Sequence, residues 1–534
     1  MPKLGRSFPE ELTVELGLDE ANDPESLRLR VAKTLGVPVD ELPGVALRKR
    51  SLDARRGRVR FHALVALGAQ SETLGGALPR EVSGEPRVVI VGGGPAGLFC
   101  AYELARRGVA AVVVDRGKLV QPRRRDLRAL NRFGTVDVDS NYCFGEGGAG
   151  TYSDGKLYTR SHKRGPVRDV IEVLALHGAP DSILVEARPH IGSNQLPKVV
   201  SAMRERLEGV GQEFRFGARV AAITVTGSPP RVAGVRLVDG TEIETRAVVL
   251  ATGHSARDVF ELLVEVGVRL EPKPFALGVR IEHPQPLVNR IQYGAAAGHP
   301  ALPNAAYRLA CEVDGRGVFS FCMCPGGWIV PAATSPGELV VNGMSLRRRD
   351  SPYANSGLVV GVEPRDWERL GLSGALGGIE LQRRVERAAF DAGGGALRAP
   401  ATRATDFVRA RSSTNVPESS YIPGIVASDV GGVLDASGLE LGSRLRRALA
   451  SFDRTMRGFL TSEAVLVGVE SRTSSPVRVP RDPETLESLD LIGLYPAGEG
   501  AGHAGGIVSA ALDGLRVAER LTQRLAIERK GGGL

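Results

Sequence analysis

The sequence predicts an α/β fold in which one large domain is assembled from two separated stretches of chain. Three observations predict this arrangement. A strand, a glycine-rich turn, a helix and a second strand follow each other from Arg87 to Asp115, and a strand, a glycine turn and a helix return at Asp490 to Gly514. Short strands, Pro/Gly turns and some helical stretches lie between them, which suits an inserted domain. Residues 10 to 67 predict a small α+β module ahead of both.

The first stretch, RVVIVGGGPAGLFCAYELARRGVAAVVVD, has the order and spacing of a Rossmann-type dinucleotide-binding βαβ unit. Gly92 permits the tight turn, Gly94 lets the backbone approach a pyrophosphate, and Gly97 lets the helix pack on the strand. The helix that begins at Pro95 presents the free N–H groups of its first turn, from Ala96 onward, to phosphates. The alternative is a glycine turn in some other α/β fold, but both strands and the helix are in register.

An acid ends the second strand of this unit. Asp115 lies about 20 residues beyond the first glycine, where a carboxylate can accept hydrogen bonds from an adenosine ribose. Arg116 follows it directly and is predicted to contact the cofactor as well.

Size and composition limit the function classes. The chain has 534 residues, which suggests about three domains. Its net charge of +8 is a modest excess of 69 Lys and Arg over 61 Asp and Glu, so no nucleic-acid partner is expected. Without a signal-peptide layout or a long uninterrupted apolar run, we expect a cytoplasmic protein with no integral membrane association. Five cysteines argue against a secreted disulfide framework.

Four segments are predicted: an N-terminal α+β module (1–80), the first part of the nucleotide-binding domain (86–265), an inserted substrate domain (266–480) and the second part (481–530). Polar, Gly-rich Ser71–Pro86 is the predicted linker. The predicted strands are Glu11–Leu16, Gly44–Ser51, Arg58–Ala66, Glu213–Phe216, Val220–Val225, Ala233–Leu237, Glu242–Thr245 and Ala247–Gly253, of which 213–245 is predicted as one β-meander. The predicted helices are Ser26–Leu35, Leu196–Glu208, Trp367–Leu372, Leu381–Ala392 and Ser443–Thr461.

The second nucleotide-facing turn favours FAD over NAD, because FAD spans a domain built from both ends of the chain. Glu499 can accept hydrogen bonds from ribityl hydroxyls, and the helix near Gly505 and Gly506 would direct its N–H groups at the flavin pyrimidine edge. No second complete βαβ unit serves NAD(P)H, so the electron donor is either the substrate or NAD(P)H binding transiently. The residues predicted to contact FAD from these later turns are Ala251, Thr252, Gly253, Gly498, Glu499, Gly505, Gly506 and Ile507.

Several motifs together resemble one family. FGEGGAGTYSDGKL, KPFALGVRIEHPQ, FSFCMCPGGWIVPA, GVESRTSSPVR and AGEGAGHAGGI are similar to segments of the bacterial and plastid FAD-dependent dehydrogenases or oxidoreductases, and the resemblance covers nearly the whole chain. It implies a Rossmann-like FAD-binding domain of the glutathione-reductase type with an inserted mixed α+β substrate domain, plus the small N-terminal α+β module. It implies no particular substrate. His503 departs from the family motif, where an aromatic residue is expected.

A second glycine run, Gly145 to Gly150, is predicted to wrap cofactor phosphate or ribityl groups through Gly147 and Gly148. Ser153 and Lys156 are candidate donors. The alternative is a structural loop.

Because flavin N5 carries out hydride transfer, few residues need be catalytic. His503 and His254 are candidates for acid or base chemistry, although each can instead be a neutral histidine bonded to backbone. Cys322 and Cys324 form a C-x-C pair that is either a dithiol passing electrons to flavin or two packing cysteines. No metal is predicted, since no ligand cluster has metal spacing.

Two further groups of polar residues are candidates for binding an anionic substrate. Arg472 to Ser475 gather donors before the last cofactor strand, and the alternative is a capped turn. Arg280 and His283 can face an anionic substrate or lie on a solvated strand face.

The sequence thus predicts an FAD-dependent oxidoreductase that moves hydride between flavin N5 and a small organic substrate. The alternatives are a flavin-dependent monooxygenase, a flavin-bearing tRNA modifier and a non-catalytic FAD-binding protein. The oligomeric state is left open.

Overall fold

The computed structural model describes residues 7–68, 78–85, 87–158 and 165–531. Half of the predicted linker Ser71–Pro86, residues 71–77 and 86, lies outside these ranges. The N-terminal module is an antiparallel sheet in the order β1-β3-β2 with one helix packed on it. That helix is capped by Asp23, whose carboxylate accepts the N–H groups of Glu25 and Ser26. The elements of the module are β1 (Glu11–Leu16), α1 (Pro24–Leu35), β2 (Val45–Asp53) and β3 (Arg60–Leu67).

The next segment forms most of a nucleotide-binding domain. Its elements are β4 (Val88–Val91), α2 (Pro95–Arg106), β5 (Ala111–Asp115), α3 (Val120–Phe133), α4 (Val167–Leu176), α5 (Leu196–Glu208), β6 (Glu213–Phe216), β7 (Val220–Thr226), β8 (Arg231–Leu237), β9 (Glu242–Glu244), β10 (Val248–Leu250) and α6 (Arg257–Glu265).

A second domain follows, and the chain then returns to the first. The elements are β11 (Glu271–Pro272), β12 (Phe275–Pro284), α7 (Gln285–Tyr293), β13 (Ala310–Val313), β14 (Arg316–Cys324), β15 (Gly327–Pro331), β16 (Val341–Ser345), β17 (Tyr353–Val362), α8 (Pro364–Glu368), α9 (Gly377–Ala392), β18 (Ala399–Arg403), α10 (Ala404–Val408), β19 (Ile425–Ala427), α11 (Val430–Asp435), α12 (Leu441–Thr455), β20 (Val465–Glu470), β21 (Val477–Arg478), β22 (Leu494–Pro496) and α13 (Ile507–Gly531).

The first domain is built on a five-stranded parallel sheet in the order β22-β10-β4-β5-β6. Its strands are short runs of buried Val, Ile and Leu because helices and the β7-β8-β9 meander cover both faces. α13 packs on α2 so closely that a Cβ at Gly514 would lie 2.1 Å from the Ala96 carbonyl oxygen. The last helix of the chain therefore closes over the first βαβ unit.

The second domain centres on a seven-stranded sheet in the order β13-β14-β17-β12-β20-β18-β19. β12 lies in its middle between β17 and β20, and all but the last of its residues are buried. Most of the helices of this domain pack on the sheet in one large hydrophobic core. The sheet borders the nucleotide-binding domain and supplies one wall of the cavity described below.

The N-terminal module contacts both domains. The backbone of Arg50 pairs with Val185 and Ala187 of the nucleotide-binding domain, and Arg50 Nε donates to Glu186 at 3.1 Å. Leu52 packs against the core of the second domain as well as its own.

Most predicted elements match observed ones, and three differ. Strand 213–216 is not part of the meander but forms the edge of the parallel sheet, beside β5. The helix predicted for 443–461 ends at Thr455, and the one predicted for 367–372 spans Pro364–Glu368 before a turn. Within the described ranges, no helix has both the length and the apolar character needed to cross a bilayer.

Candidate functional site

A cavity of about 440 Å³ opens at the carboxyl ends of β4, β5 and β10 and extends to the second domain. Crevices at the ends of parallel strands are the usual ligand sites of open α/β sheets. The cavity is lined from the first domain by Gly92, Asp115 and Ala251 and from the second by Phe321 and Asn342.

The glycines of the first turn have three different reasons to be glycine. Gly92 has φ +104° and would place a Cβ 2.5 Å from the Ala251 carbonyl oxygen, and a Cβ at Gly97 would lie 1.9 Å from the Gly92 carbonyl oxygen. Both glycines are therefore required by the protein itself. Gly94 differs, since its nearest protein atom would be Gly148 Cα at 3.9 Å, and both residues line the cavity. Gly94 leaves room for a ligand at the N-terminus of α2.

Asp115 holds the loops around this turn together. Its carboxylate accepts backbone N–H groups from Gly93 at 2.8 Å, Gly117 at 2.8 Å and Gly145 at 3.1 Å. A carboxylate has about four lone-pair sites, so one remains for the predicted ribose contact. Arg116 lines the cavity next to it and stacks on the Phe144 ring, 4.5 Å from its centroid.

The second glycine run contributes to the same cavity. Gly148 and Ser153 line it, whereas Gly147 packs behind it against Thr151 and Val200. Lys156 also lines the cavity, but its amine lies beside two cysteine sulfurs.

Open glycine positions continue along the cavity. A Cβ at Gly253, Gly505 or Gly506 would have no protein atom within 4 Å, and all three residues line the cavity. Ala251, Thr252, Glu499 and Ile507 line it too, whereas Gly498 lies outside and donates its N–H to Asp513 at 2.8 Å. The open glycines of both nucleotide-facing turns form a cradle of bare backbone along the cavity, which fits a long dinucleotide. Arg116 lies at one end of this cradle and Glu499 lies toward the other.

The far end of the cavity gathers titratable groups. His254 Nδ1 lies 3.5 Å from Glu499 Oε1, and Cys322 and Asn342 face the same space. Burial raises the pKa of Glu499 from 4.5 to about 7, against the opposing charge of Lys273. Burial, together with the charge of Arg472, lowers the pKa of His254 to about 4. At neutral pH, Glu499 can therefore hold or release a proton while His254 stays neutral.

Substituting Glu499 with glutamine is expected to change how the stability of the flavin-free protein depends on pH. Because its pKa is higher in the folded protein than the ordinary 4.5, wild-type stability falls as pH rises from 4.5 to about 7 and is level above that. Glutamine does not titrate. Thermal unfolding at about pH 5 and about pH 8 should show wild type losing stability relative to E499Q at the higher pH. An equal difference at both values would contradict this.

The structure separates some of the predicted site residues from the cavity. His503 does not line it, and its Nε2 contacts the Val479 carbonyl oxygen at 3.0 Å. Cys324 is buried behind Cys322. Arg280 and His283 are buried rather than on a solvated face.

The side-chain donors of Arg472, Thr473 and Ser475 bond within the protein. Arg472 donates to Glu386, Glu338 and Thr334, and Thr473 Oγ1 donates to the Ala276 carbonyl oxygen. The turn before the last cofactor strand is therefore an internal junction, although Arg472 and Thr473 touch the cavity wall.

Several cavity residues were not predicted, and Phe321, Asn342 and Asp154 are three of them. Phe321 and Asn342 come from β14 and β16, and Asp154 lies between the two predicted donors of the second glycine run. Phe321 and Asp154 belong to motifs singled out in the sequence, but nothing local to Asn342 marks it. Among the described residues, no cluster of three or more His, Cys, Asp or Glu side chains could hold a metal ion.

Three family models match the chain. Residues 85–129 match an FAD binding domain, residues 274–473 match the C-terminal domain of FAD-dependent proteins, and residues 8–67 match a domain of unknown function. The first match covers the βαβ unit with Gly94, and the second covers the sheet that carries Cys322.

Similar solved structures include the flavin-dependent brominase Bmp2, which is 13% identical over 82% of this chain and 79% of its own, with a TM-score of 0.35. A flavoprotein/dehydrogenase from Cytophaga hutchinsonii is 10% identical over 83% of this chain and 79% of its own, with a TM-score of 0.35. Likenesses at this level add nothing to the assignment of function.

A full-length relative gives the assignment. An uncharacterized protein of Clostridium beijerinckii is 39% identical over 96% of this chain and 98% of its own length. The FAD-binding model matches the glycine turn of this chain, and the C-terminal model matches its second sheet. Together with the relative, these matches show that the chain belongs to a family of FAD-dependent proteins.

Proposed function

We propose that the protein is an FAD-dependent oxidoreductase that binds FAD noncovalently and moves hydride between flavin N5 and a small organic substrate. The observation that carries this proposal is the single cavity that runs from the glycine turn at Gly94 to the titratable groups at Glu499 and His254. FAD supplies the redox chemistry when bound.

The residues of this chain would bind, orient and handle protons. Gly94, Gly148 and the N-terminus of α2 suit the pyrophosphate, and Asp115 suits a ribose hydroxyl. Glu499 suits a ribityl hydroxyl, as its position in the second turn predicts. Its raised pKa also suits it to exchange a proton with the substrate.

The small-molecule substrate is proposed from the lining of the cavity. Beyond the open glycines the cavity extends to Phe321, Cys322 and Asn342 of the second domain, and a concave site of this kind suits a small organic molecule beside the flavin. NAD(P)H is proposed only as a transient electron donor. The sequence contains one complete dinucleotide-binding βαβ unit, and the proposal assigns that unit to FAD.

The test is a visible absorption spectrum of the purified protein, recorded anaerobically before and after NADPH is added. Flavin bands that bleach support a reductase with a nicotinamide donor. Bands that bleach only with dithionite place the electron source in the substrate or another carrier. An absence of flavin bands even after reconstitution with FAD would overturn the proposal, and substrate-stimulated oxygen consumption with a hydroxylated product would identify a monooxygenase instead.

A further inference from the structure

Two cysteines lie in the part of the second domain that borders the cavity. Cys322 lines the cavity and Cys324 is buried directly behind it. The Cys324 thiol donates a hydrogen bond to the Cys322 carbonyl oxygen at 3.3 Å. One cysteine of the pair is therefore at the cavity surface and the other is buried beneath it.

The backbone around the pair is irregular. Phe321 pairs with Gly357 and Cys324 pairs with Asn355, so β14 carries one extra residue here relative to β17. Cys322 itself has φ +44°, a left-handed conformation that is unfavourable for a residue with a side chain. Bulges and left-handed non-glycine residues are concentrated at functional sites, because surrounding structure must hold them in place.

The amine of one lysine lies close to both sulfurs. Lys156 Nζ lies 3.8 Å from Cys322 Sγ and 3.6 Å from Cys324 Sγ. Asp154 Oδ2, at 3.5 Å, holds the amine from its other side, and Asp154 is itself held by Arg349 at 2.7 Å. An ammonium in this position stabilises a thiolate.

Other charges near the pair come from the neighbouring strands. Arg280 donates to the Cys322 carbonyl oxygen at 2.7 Å and pairs with Glu470 at 2.8 Å. A hydrogen bond from Cys324, with the charges of Lys156 and Arg280, holds the pKa of Cys322 well below its ordinary value despite burial and the charge of Asp154. The same hydrogen bond and burial raise the pKa of Cys324. The pair is thus divided into one thiolate and one thiol.

A packing cysteine of the same chain shows the contrast. Cys100 is fully buried in α2, where burial and nearby carboxylates raise the pKa of its thiol. Cys322 has an adjacent cation, an accessible surface and a second thiol, none of which packing requires.

We propose that Cys322 and Cys324 form a dithiol/disulfide pair that exchanges two electrons with FAD bound in the cavity. The inference rests on the proposed function, because it requires FAD at that site. The proposed pair is a redox centre of the second domain, separate from the flavin.

The exchange balances without a further reactant. The Cys322–Cys324 disulfide accepts two electrons and one proton from the singly protonated anion of reduced FAD, which leaves oxidised FAD. The S–S bond breaks, Cys324 takes the proton, and Cys322 keeps the negative charge beside Lys156. In the reverse direction the thiolate and thiol close to the disulfide as oxidised FAD takes up the electrons and the proton.

The first test counts electrons and thiols in the same holoprotein. The oxidised protein is titrated anaerobically with dithionite, and samples are denatured and alkylated so that mass spectrometry reports whether Cys322 and Cys324 are linked. Wild type is expected to take roughly four electron equivalents per flavin and the C322S/C324S variant about two, because a disulfide is a two-electron couple. C311S, which changes another cysteine of the same sheet, should behave as wild type.

The possible results separate the two proposals. If flavin is reduced but wild type takes no more electrons than C322S/C324S, and both cysteines are alkylated in the oxidised protein, the dithiol is overturned and the oxidoreductase stands. If the protein binds no flavin, both proposals fail. A disulfide found in the oxidised protein and lost on reduction supports the inference even if the double variant does not fold.

The second test examines Lys156 without using activity. The rate at which native Cys322 reacts with iodoacetamide is measured across pH for wild type, K156M and K156R. The midpoint of the rate profile is expected to move to higher pH in K156M and to remain near that of wild type in K156R, because only K156M removes the cation. Superimposable wild-type and K156M profiles would overturn the assignment of Lys156.

Discussion

Replacing Gly94 with valine is expected to leave a folded protein that no longer retains FAD. The φ of −73° and ψ of −175° at Gly94 suit a β-branched residue. Because the Cβ would meet only Gly148 Cα, at 3.9 Å, the valine side chain can be accommodated but occupies the space next to the N-terminus of α2. We expect FAD affinity to fall about 100-fold or more, roughly 2.8 kcal/mol. Flavin-to-protein ratio after purification and an FAD titration of the apoprotein measure it.

A matched control is available in the second domain. Gly317 also has an unstrained backbone and no protein atom within 4 Å of a Cβ, but it is exposed on β14 away from the cavity. G317V should therefore keep its flavin. Gly92 is a poor site for this experiment, since its φ of +104° and its contact with Ala251 make any side chain a threat to folding. A folded G94V protein with full flavin content would defeat the assignment of the cradle.

Replacing Glu386 with glutamine is expected to destabilise the protein strongly. This carboxylate is fully buried on α9 and accepts hydrogen bonds from Arg257 at 2.9 and 3.0 Å and from Arg472 at 2.9 and 3.1 Å. Burial alone would raise the pKa of Glu386, but the two guanidinium groups hold it well below its usual range. Loss of the charge leaves two buried arginines to share the carboxylate of Glu338, and breaking a buried ion pair in this way costs about 3–5 kcal/mol. Urea denaturation of the apoprotein measures the change.

Glu380 provides the comparison on the same helix. It is exposed and lies 4.0 Å from Arg383, so E380Q should change the free energy of unfolding by less than about 1 kcal/mol. The Glu386 cluster, formed with Arg257 and Arg472, joins α6 of the nucleotide-binding domain to α9 of the second domain. Equal stabilities for E386Q and E380Q would contradict a stabilising role for this cluster.

Local sequence patterns predict the nucleotide-binding elements well because these elements depend on short-range signals. Helix Leu196–Glu208 and strand Glu213–Phe216 are confirmed to the residue. The prediction that strand 213–216 belongs to the β-meander was wrong. Hydrophobic period and composition do not indicate which neighbouring strand a strand will pair with. The strand forms the edge of the parallel sheet because it hydrogen-bonds to β5.

Burial in the second domain was harder to predict. Arg280 and His283 were predicted either to face an anionic substrate or to lie on a solvated strand face. β12 instead lies in the middle of its sheet with both faces covered, and Arg280 is buried with Glu470 as its partner. The pairing of Lys156 with Cys322 and Cys324 joins residues more than 160 positions apart in the chain, so no local pattern could reveal it.

The N-terminal module affects how the two domains can move relative to each other. It is joined by backbone hydrogen bonds at Arg50 to the nucleotide-binding domain and by Leu52 to the core of the second domain. The module therefore links the nucleotide-binding domain to the second domain, in addition to the direct link that the Glu386 cluster provides. A rotation that widened the cavity would have to break both sets of contacts. We therefore expect bound FAD to exchange at the rate of a local unfolding event rather than by simple diffusion.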